Sequence, residues 1–110
     1  MDIIESSHPQ ATVIALNGRL DGQASPIVTE RIDSVVARGP GRLILDLSGL
    51  EYVSSAGLRV FLTAAKKCQT GGGAAIFAGL PPSIHEVFEL SGFLAVLQVQ
   101  PTVAEALGQP

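Results

Sequence analysis

Two adjacent hydroxyls stand in the stretch Val53-Ser54-Ser55-Ala56-Gly57-Leu58-Arg59, where a polar link gives way to a helical apolar pattern. Serine at such a junction can do either of two things. Its oxygen can cap the helix by accepting a free backbone N–H. Alternatively its hydroxyl can accept a phosphoryl group, because a helix N-terminus offers unpaired N–H groups and the positive end of the dipole to an added anion. Ala56 and Gly57 are small and would leave the hydroxyl approachable by a large partner. A phosphate adds about −1.5 to −2 charges at pH 7, and would take a chain of formal net charge −3 to roughly −5. That is enough to spoil an interface without unfolding a domain.

Other side chains bear on the same region. Asp46 closes the apolar run Leu43-Ile44-Leu45, and Asp21 sits in Gly18-Arg19-Leu20-Asp21-Gly22, a loop by its two glycines. Carboxyl ends of strands in open α/β sheets face binding crevices, so either aspartate could line a docking surface. Either could equally be a loop carboxylate accepting backbone N–H groups. Arg59 follows Ser55 by four residues, about one turn; it could pair with a phosphate, lie on a contact face, or be solvated. Catalytic chemistry finds little support. Gly-x-Ser-x-Gly is absent. The only histidines are His8, in a turn with Pro9, and His85, in the first turn of a helix; both are expected at the surface. Gly71-Gly72-Gly73 lacks the Gly-Lys-Ser/Thr ending of a phosphate loop and instead stops a helix. Cys68 is alone, which excludes an internal disulfide and a cysteine metal cluster, and two histidines are too few for a zinc site. No cofactor and no metal are expected.

Composition sets the frame around these residues. A length of 110 residues suits a single domain over 1–110. Hydrophobic residues make up 46% and charged residues 15%, which provides a core and excludes a disordered charged tail. Seven Lys and Arg, with no basic run longer than Lys66-Lys67, argue against nucleic-acid binding. No apolar run approaches the roughly 20 residues of a membrane span, and Asp2 and Glu5 occupy the place where a signal peptide needs cations. A cytoplasmic domain is the expectation.

The elements that must position the serines alternate. Residues 2–7 and 11–17 predict two strands around a His8-Pro9-Gln10 turn. Ser25-Pro26 predicts a capped helix start, with Val28, Ile32, Val35 and Val36 on its apolar face. Leu43-Ile44-Leu45 predicts a central strand covered on both faces. Leu58, Phe61, Leu62, Ala65 and Cys68 predict the long helix after the serines, ended by the glycine triplet. Ala74–Ala78 and Leu97–Val99 predict further strands. Ser83-Ile84-His85-Glu86 and Thr102-Val103-Ala104-Glu105 have the form of capping boxes opening two more helices. The order β-β-α-β-α-β-α-β-α predicts an α/β fold with a mostly parallel sheet of four to five strands and four helices.

Leu45-Asp46-Leu47-Ser48-Gly49-Leu50 together with Val53-Ser54-Ser55-Ala56-Gly57-Leu58-Arg59 resembles the signature of STAS domains, and more narrowly of the bacterial anti-anti-sigma factors (anti-sigma factor antagonists). Gly18-Arg19-Leu20-Asp21 is similar to a second family feature. The resemblance implies partner switching. In that family the unmodified protein binds an anti-sigma factor that is a serine kinase of the histidine-kinase-like ATPase fold, which frees a sigma factor or other client. The kinase then phosphorylates one serine of the antagonist and is released, and a metal-dependent serine phosphatase restores the cycle. By position relative to Gly57 the resemblance makes Ser55 the acceptor. It also implies a partner-binding surface of Asp21, Asp46, Ser54, Ser55, Ala56, Gly57, Leu58 and Arg59. Ser54 stands where many members carry Asp, and Ala56 where many carry a second hydroxyl. Other STAS domains are unphosphorylated structural subunits, for example of a lipid-transport complex, and this is the alternative.

Overall fold

In the computed structural model, which describes residues 1–108, the chain forms β1 (Asp2–His8), β2 (Ala11–Leu20), α1 (Ser25–Val36), β3 (Arg42–Asp46), β4 (Leu50–Val53), α2 (Ser55–Thr70), β5 (Ala74–Ala78), α3 (Pro82–Leu90), α4 (Phe93–Val96), β6 (Gln98–Gln100) and α5 (Val103–Leu107). One six-stranded sheet runs β1-β2-β3-β5-β6, with β4 also paired to β2. The first pair is an antiparallel hairpin and every other pairing is parallel. The α/β class, the hairpin and the central position of β3 are as expected. Leu43, Ile44 and Leu45 are all buried, as a strand covered on both faces requires.

Two elements were not anticipated. The short β4 pairs with the far half of β2, Leu20 opposite Val53, so β3 and β4 share β2 end to end. This pairing draws Gly18-Arg19-Leu20 out of the expected loop and into β2, across a register shift at Gly18, whose φ of 112° favours glycine. The second is the single turn α4, which places Phe93 against Phe88 with ring centroids 5.6 Å apart. The sheet therefore has six strands and the described chain five helices, against the four to five strands and four helices expected.

The helices divide unequally between the faces. Helices α1, α2 and α3 bury Val28, Ile32, Phe61, Ala64, Ile84 and Phe88 in the main core, on one face. Phe61, Phe77 and Phe88 meet there in mutual edge and tilted contacts of 5.2 to 6.0 Å. The other face has a small cluster around Val13, Ile44 and Ile76, closed by Ala106 of α5. Arg42 donates from Nη1 to the Ala106 carbonyl at 3.0 Å, tying the end of α5 to β3.

Capping follows the sequence at one predicted site and departs at two. Thr102 accepts from the Glu105 N–H at 3.1 Å. Ser25 is not a cap: it is the first residue of α1, buried, and its hydroxyl donates to the Asp21 carbonyl at 2.7 Å. Ser83 is not a cap either, because α3 begins one residue earlier, at Pro82, with Pro81 before it and no side-chain cap. Proline at the first helical position has no N–H to lose, so the helix starts there instead.

Candidate functional site

The serine junction is built by β4 and α2. Strand β4 carries the chain along β2 to Val53, and Ser54 N–H donates to the Leu20 carbonyl at 2.9 Å. Ser54 stays extended, at φ −86° and ψ 173°, and its Oγ accepts from the Gly57 N–H at 3.1 Å. Leu58 N–H donates to the Ser54 carbonyl at 2.9 Å, the first bond of the helix. Ser54 is therefore the cap, half-buried and committed. Ser55 is the first helical residue and is exposed. The two serines therefore differ: Ser54 caps the helix, and Ser55 stands exposed beside it.

Gly57 is buried, not part of an open approach to the hydroxyl. A Cβ at this position would lie 2.8 Å from Leu20 Cγ and 2.8 Å from Val53 Cγ2. Its smallness lets the first turn of α2 settle on the ends of β2 and β4. That contact sets the rotation of the whole helix. The buried face is Gly57, Phe61, Ala64 and Cys68, and Leu58 packs half-buried at its margin. Leu62, expected inside, is 38% exposed. The outer stripe consists of Ser55, Arg59, Leu62 and Lys66, all exposed, at helical spacing. Arg59 thus shares a face with Ser55, one turn along, where a cation supports an anion at the helix start. Ala56 is partly exposed beside them.

Both aspartates act as loop carboxylates. Asp21 Oδ1 accepts from the Gln23 and Ala24 N–H groups at 3.1 and 3.0 Å, which makes it the polar anchor of α1 that Ser25 was expected to be. Asp21 follows Leu20, the residue bonded to Ser54, and so adjoins the serine junction. Asp46 Oδ1 accepts from the Ser48 N–H at 3.0 Å and the Ser48 hydroxyl at 2.8 Å. Its register partner on β2 is Ala15, whereas Val53 pairs with Leu20. Five positions of β2 separate the two registers, so Asp46 lies about 16 Å down the sheet from Val53 at about 3.3 Å per residue. The fold brings Asp21, Ser54, Ser55, Ala56 and Arg59 to one end, leaves Asp46 apart, and turns Gly57 and Leu58 inward.

One pair beside the junction was not identified. Arg19 and Tyr52 are cross-strand neighbours, and the guanidinium carbon lies 4.2 Å from the centroid of a ring that is 39% exposed. Nothing local signals this, since the pairing exists only once β4 is recognised as a strand.

The concave features lie elsewhere or are shallow. A half-open cleft of about 240 Å³ sits at the opposite end of the sheet, between the β1–β2 turn and the Gly39–Gly41 and Gly71–Gly73 links. Cys68 lines it, and burial pushes its thiol pKa up. An open hollow of about 490 Å³ lies beside Arg19, Asp21 and Ile27. Among the described residues no group of three His, Cys, Asp or Glu side chains is placed to hold a metal ion. Among the described residues no helix is long and apolar enough to cross a membrane. Ser54 and Ser55 line neither of these two hollows; Ser55 is exposed at the end of the sheet, next to the hollow beside Arg19 and Asp21.

Comparison with known proteins agrees with this architecture. The STAS domain family model matches residues 3–106. BtrV of Bordetella bronchiseptica, a candidate anti-sigma factor antagonist, is 37% identical over 87 residues, covering 79% of this chain and 75% of that protein. The anti-sigma F factor antagonist of Paenibacillus polymyxa is 27% identical over 106 residues, covering 94% of this chain and 91% of that one. The crystal structure of an anti-sigma factor antagonist from Mycobacterium paratuberculosis superposes with a TM-score of 0.88 at 25% identity, covering 97% of this chain and 91% of that one. The chain belongs to the STAS domain family and, within it, to the group of the anti-sigma factor antagonists.

Proposed function

We propose that this domain is an anti-sigma factor antagonist governed by phosphorylation at Ser55. In the unmodified state it binds an anti-sigma factor, a serine kinase of the histidine-kinase-like ATPase fold, and so frees the kinase's client. The docking surface is the serine end together with the outer stripe of α2. The domain is then a substrate and not an enzyme, and it acts in the cytoplasm. The kinase transfers the γ-phosphoryl group of ATP to Ser55 Oγ; ADP leaves and the hydroxyl proton is lost. A metal-dependent serine phosphatase later hydrolyses the ester.

The observation that carries this is the division of labour between the two serines. Ser54 is spent on the cap, 3.1 Å from the Gly57 N–H, while Ser55 stands exposed on the first turn. The fold accepts a phosphate at that place, because the helix dipole favours an anion there by about 0.3–1 kcal/mol and Arg59 adds a few tenths. A bound partner does not accept it, because a desolvated charge without a counter-charge costs several kcal/mol. The domain can therefore be switched without being unfolded.

The test is phosphorylation of the purified chain by its cognate kinase with ATP, read by intact mass. One phosphate is expected, and none on Ser55→Ala. Full phosphorylation of Ser55→Ala would refute the assignment. In binding, Ser55→Ala should hold the kinase and Ser55→Asp should release it; equal affinity for the two variants would end the switch model.

A further inference from the structure

Two exposed stripes on the outer surface of the helical layer carry opposite charges around an apolar centre. On α2 the stripe includes Arg59, Leu62 and Lys66; on α3 it is Glu86, Glu89 and Leu90. Leu90 is 79% exposed, the highest value for a large apolar side chain in the described chain. The ion pairs among the described residues are Arg38–Glu5 and Lys67–Asp33, so none of the four charges on the stripes has a partner. The segregation extends along the sequence. All seven Lys and Arg lie between Arg19 and Lys67, and residues 68–108 carry Glu86, Glu89 and Glu105 with no Lys or Arg.

The stripes are also matched in place. Helices α2 and α3 bury their inner faces in the same core on one face of the sheet, where the Phe61 and Phe88 ring centroids lie 6.0 Å apart. Both start from the same end of the sheet, because they follow the parallel strands β4 and β5. Along each helix the charge-to-leucine spacing is similar: about 4.5 Å of rise from Arg59 to Leu62 and about 6 Å from Glu86 to Leu90.

We propose that a second copy of this chain covers this face. Two domains pack helical layer to helical layer about a two-fold axis running between α2 and α3 and parallel to them. Each copy's α2 then lies on the other's α3. Arg59 and Lys66 face Glu86 and Glu89 twice over, and Leu62 meets Leu90 of the other copy. A two-fold arrangement makes the contact self-complementary and closed, so association stops at the dimer. With a small apolar centre and charges near the rim, the dimer is weak and salt-sensitive. Ser55 belongs to the same stripe and is covered in the dimer. If Ser55 is the acceptor, as proposed above, its phosphate would stand against the other copy's acidic α3 and separate the pair. The dimer itself does not depend on that assignment.

Sedimentation velocity on the full chain, from about 10 μM to about 1 mM and at low and high salt, tests the proposal without a kinase. The expected result is a mass rising from one copy toward two, with association at least roughly ten-fold weaker at high salt. Arg59→Glu and Glu86→Arg should each abolish association, and an equimolar mixture of the two should restore it. In the mixed pair the introduced carboxylate of one variant faces the introduced guanidinium of the other, and native Arg59 faces native Glu86. Lys66→Glu mixed with Glu89→Lys repeats the test at a second position, should a first variant fold poorly. A wild-type chain that stays monomeric throughout, single variants that associate like wild type, or mixtures of both pairs that stay monomeric would each overturn the dimer.

Discussion

Ser25 and Ser55 occupy the same local position with opposite outcomes. Each is the first residue of a helix, and both helices start at the same end of the sheet. Ser25 is 7% exposed and its hydroxyl is bonded to the Asp21 carbonyl; Ser55 is exposed. The difference lies in how each helix is anchored. Helix α1 is held by Asp21, whose carboxylate takes the Gln23 and Ala24 N–H groups and whose carbonyl takes the Ser25 hydroxyl. Helix α2 is held by Ser54 alone, which satisfies the Gly57 N–H and leaves its neighbour uncommitted. A serine at a helix start is thus not free by position alone; what separates the two is that the Asp21 carbonyl takes the Ser25 hydroxyl in a buried site, whereas Ser55 is exposed.

The largest expected effect separates the two serines chemically. Under the cognate kinase Ser25→Ala should take up one phosphate as wild type does, and Ser55→Ala none, by intact mass and peptide mapping. Phosphate on Ser25 would abolish the contrast. Next in size is the loss of kinase affinity in Ser55→Asp, on the order of 2–5 kcal/mol if a buried contact meets an unpaired charge, checked by calorimetric titration against Ser55→Ala.

Stability measurements sharpen the same contrast. Gly57→Val should destabilise by about 1–3 kcal/mol in denaturant melts, since its side chain must displace Leu20 and Val53. Ser54→Ala should lose about 1 kcal/mol with the cap, and Ser25→Ala about the same with its buried hydrogen bond. Ser55→Ala should stay within about 0.5 kcal/mol of wild type, as an exposed substitution by a good helix former. A cost for Ser55→Ala equal to that for Ser54→Ala would mean that the hydroxyls share the capping. Smallest in energy is the behaviour of Cys68. With its pKa raised by burial, it should react with iodoacetamide more slowly than a free thiol at any pH below its own pKa, and catch up on unfolding.

Much of this fold is legible along the chain because its signals are local. The apolar run of β3, the hairpin turn, the 3.6-residue repeat of α2 and the Thr102 cap each lie within a dozen residues. What was not legible depends on partners far away in sequence. Strand β4 is four residues long, two of them exposed, and is a strand only because the far half of β2 lies beside it. Arg19 and Tyr52 meet only through that pairing. Leu62 fits an apolar repeat as well as Ala64 does; the approach of Gly57 to Leu20 and Val53 rotates the helix so that Ala64 goes in and Leu62 stays out.

The sequence by itself determined the α/β alternation, the place of a serine pair where a polar link gives way to a helix, and the small charge against which one phosphate counts. These follow from residue spacing and composition, which need no distant contact. Only the tertiary structure decided which serine caps and which stands free, that Asp21 and not Ser25 anchors α1, that Asp46 lies apart from the serine end, and that opposite charges on α2 and α3 share one face. The physical reason is common to all four: hydrogen bonding and exposure are settled by what the rest of the sheet and its helices bring within a few ångströms, and that depends on packing across the fold, not on neighbours in the chain.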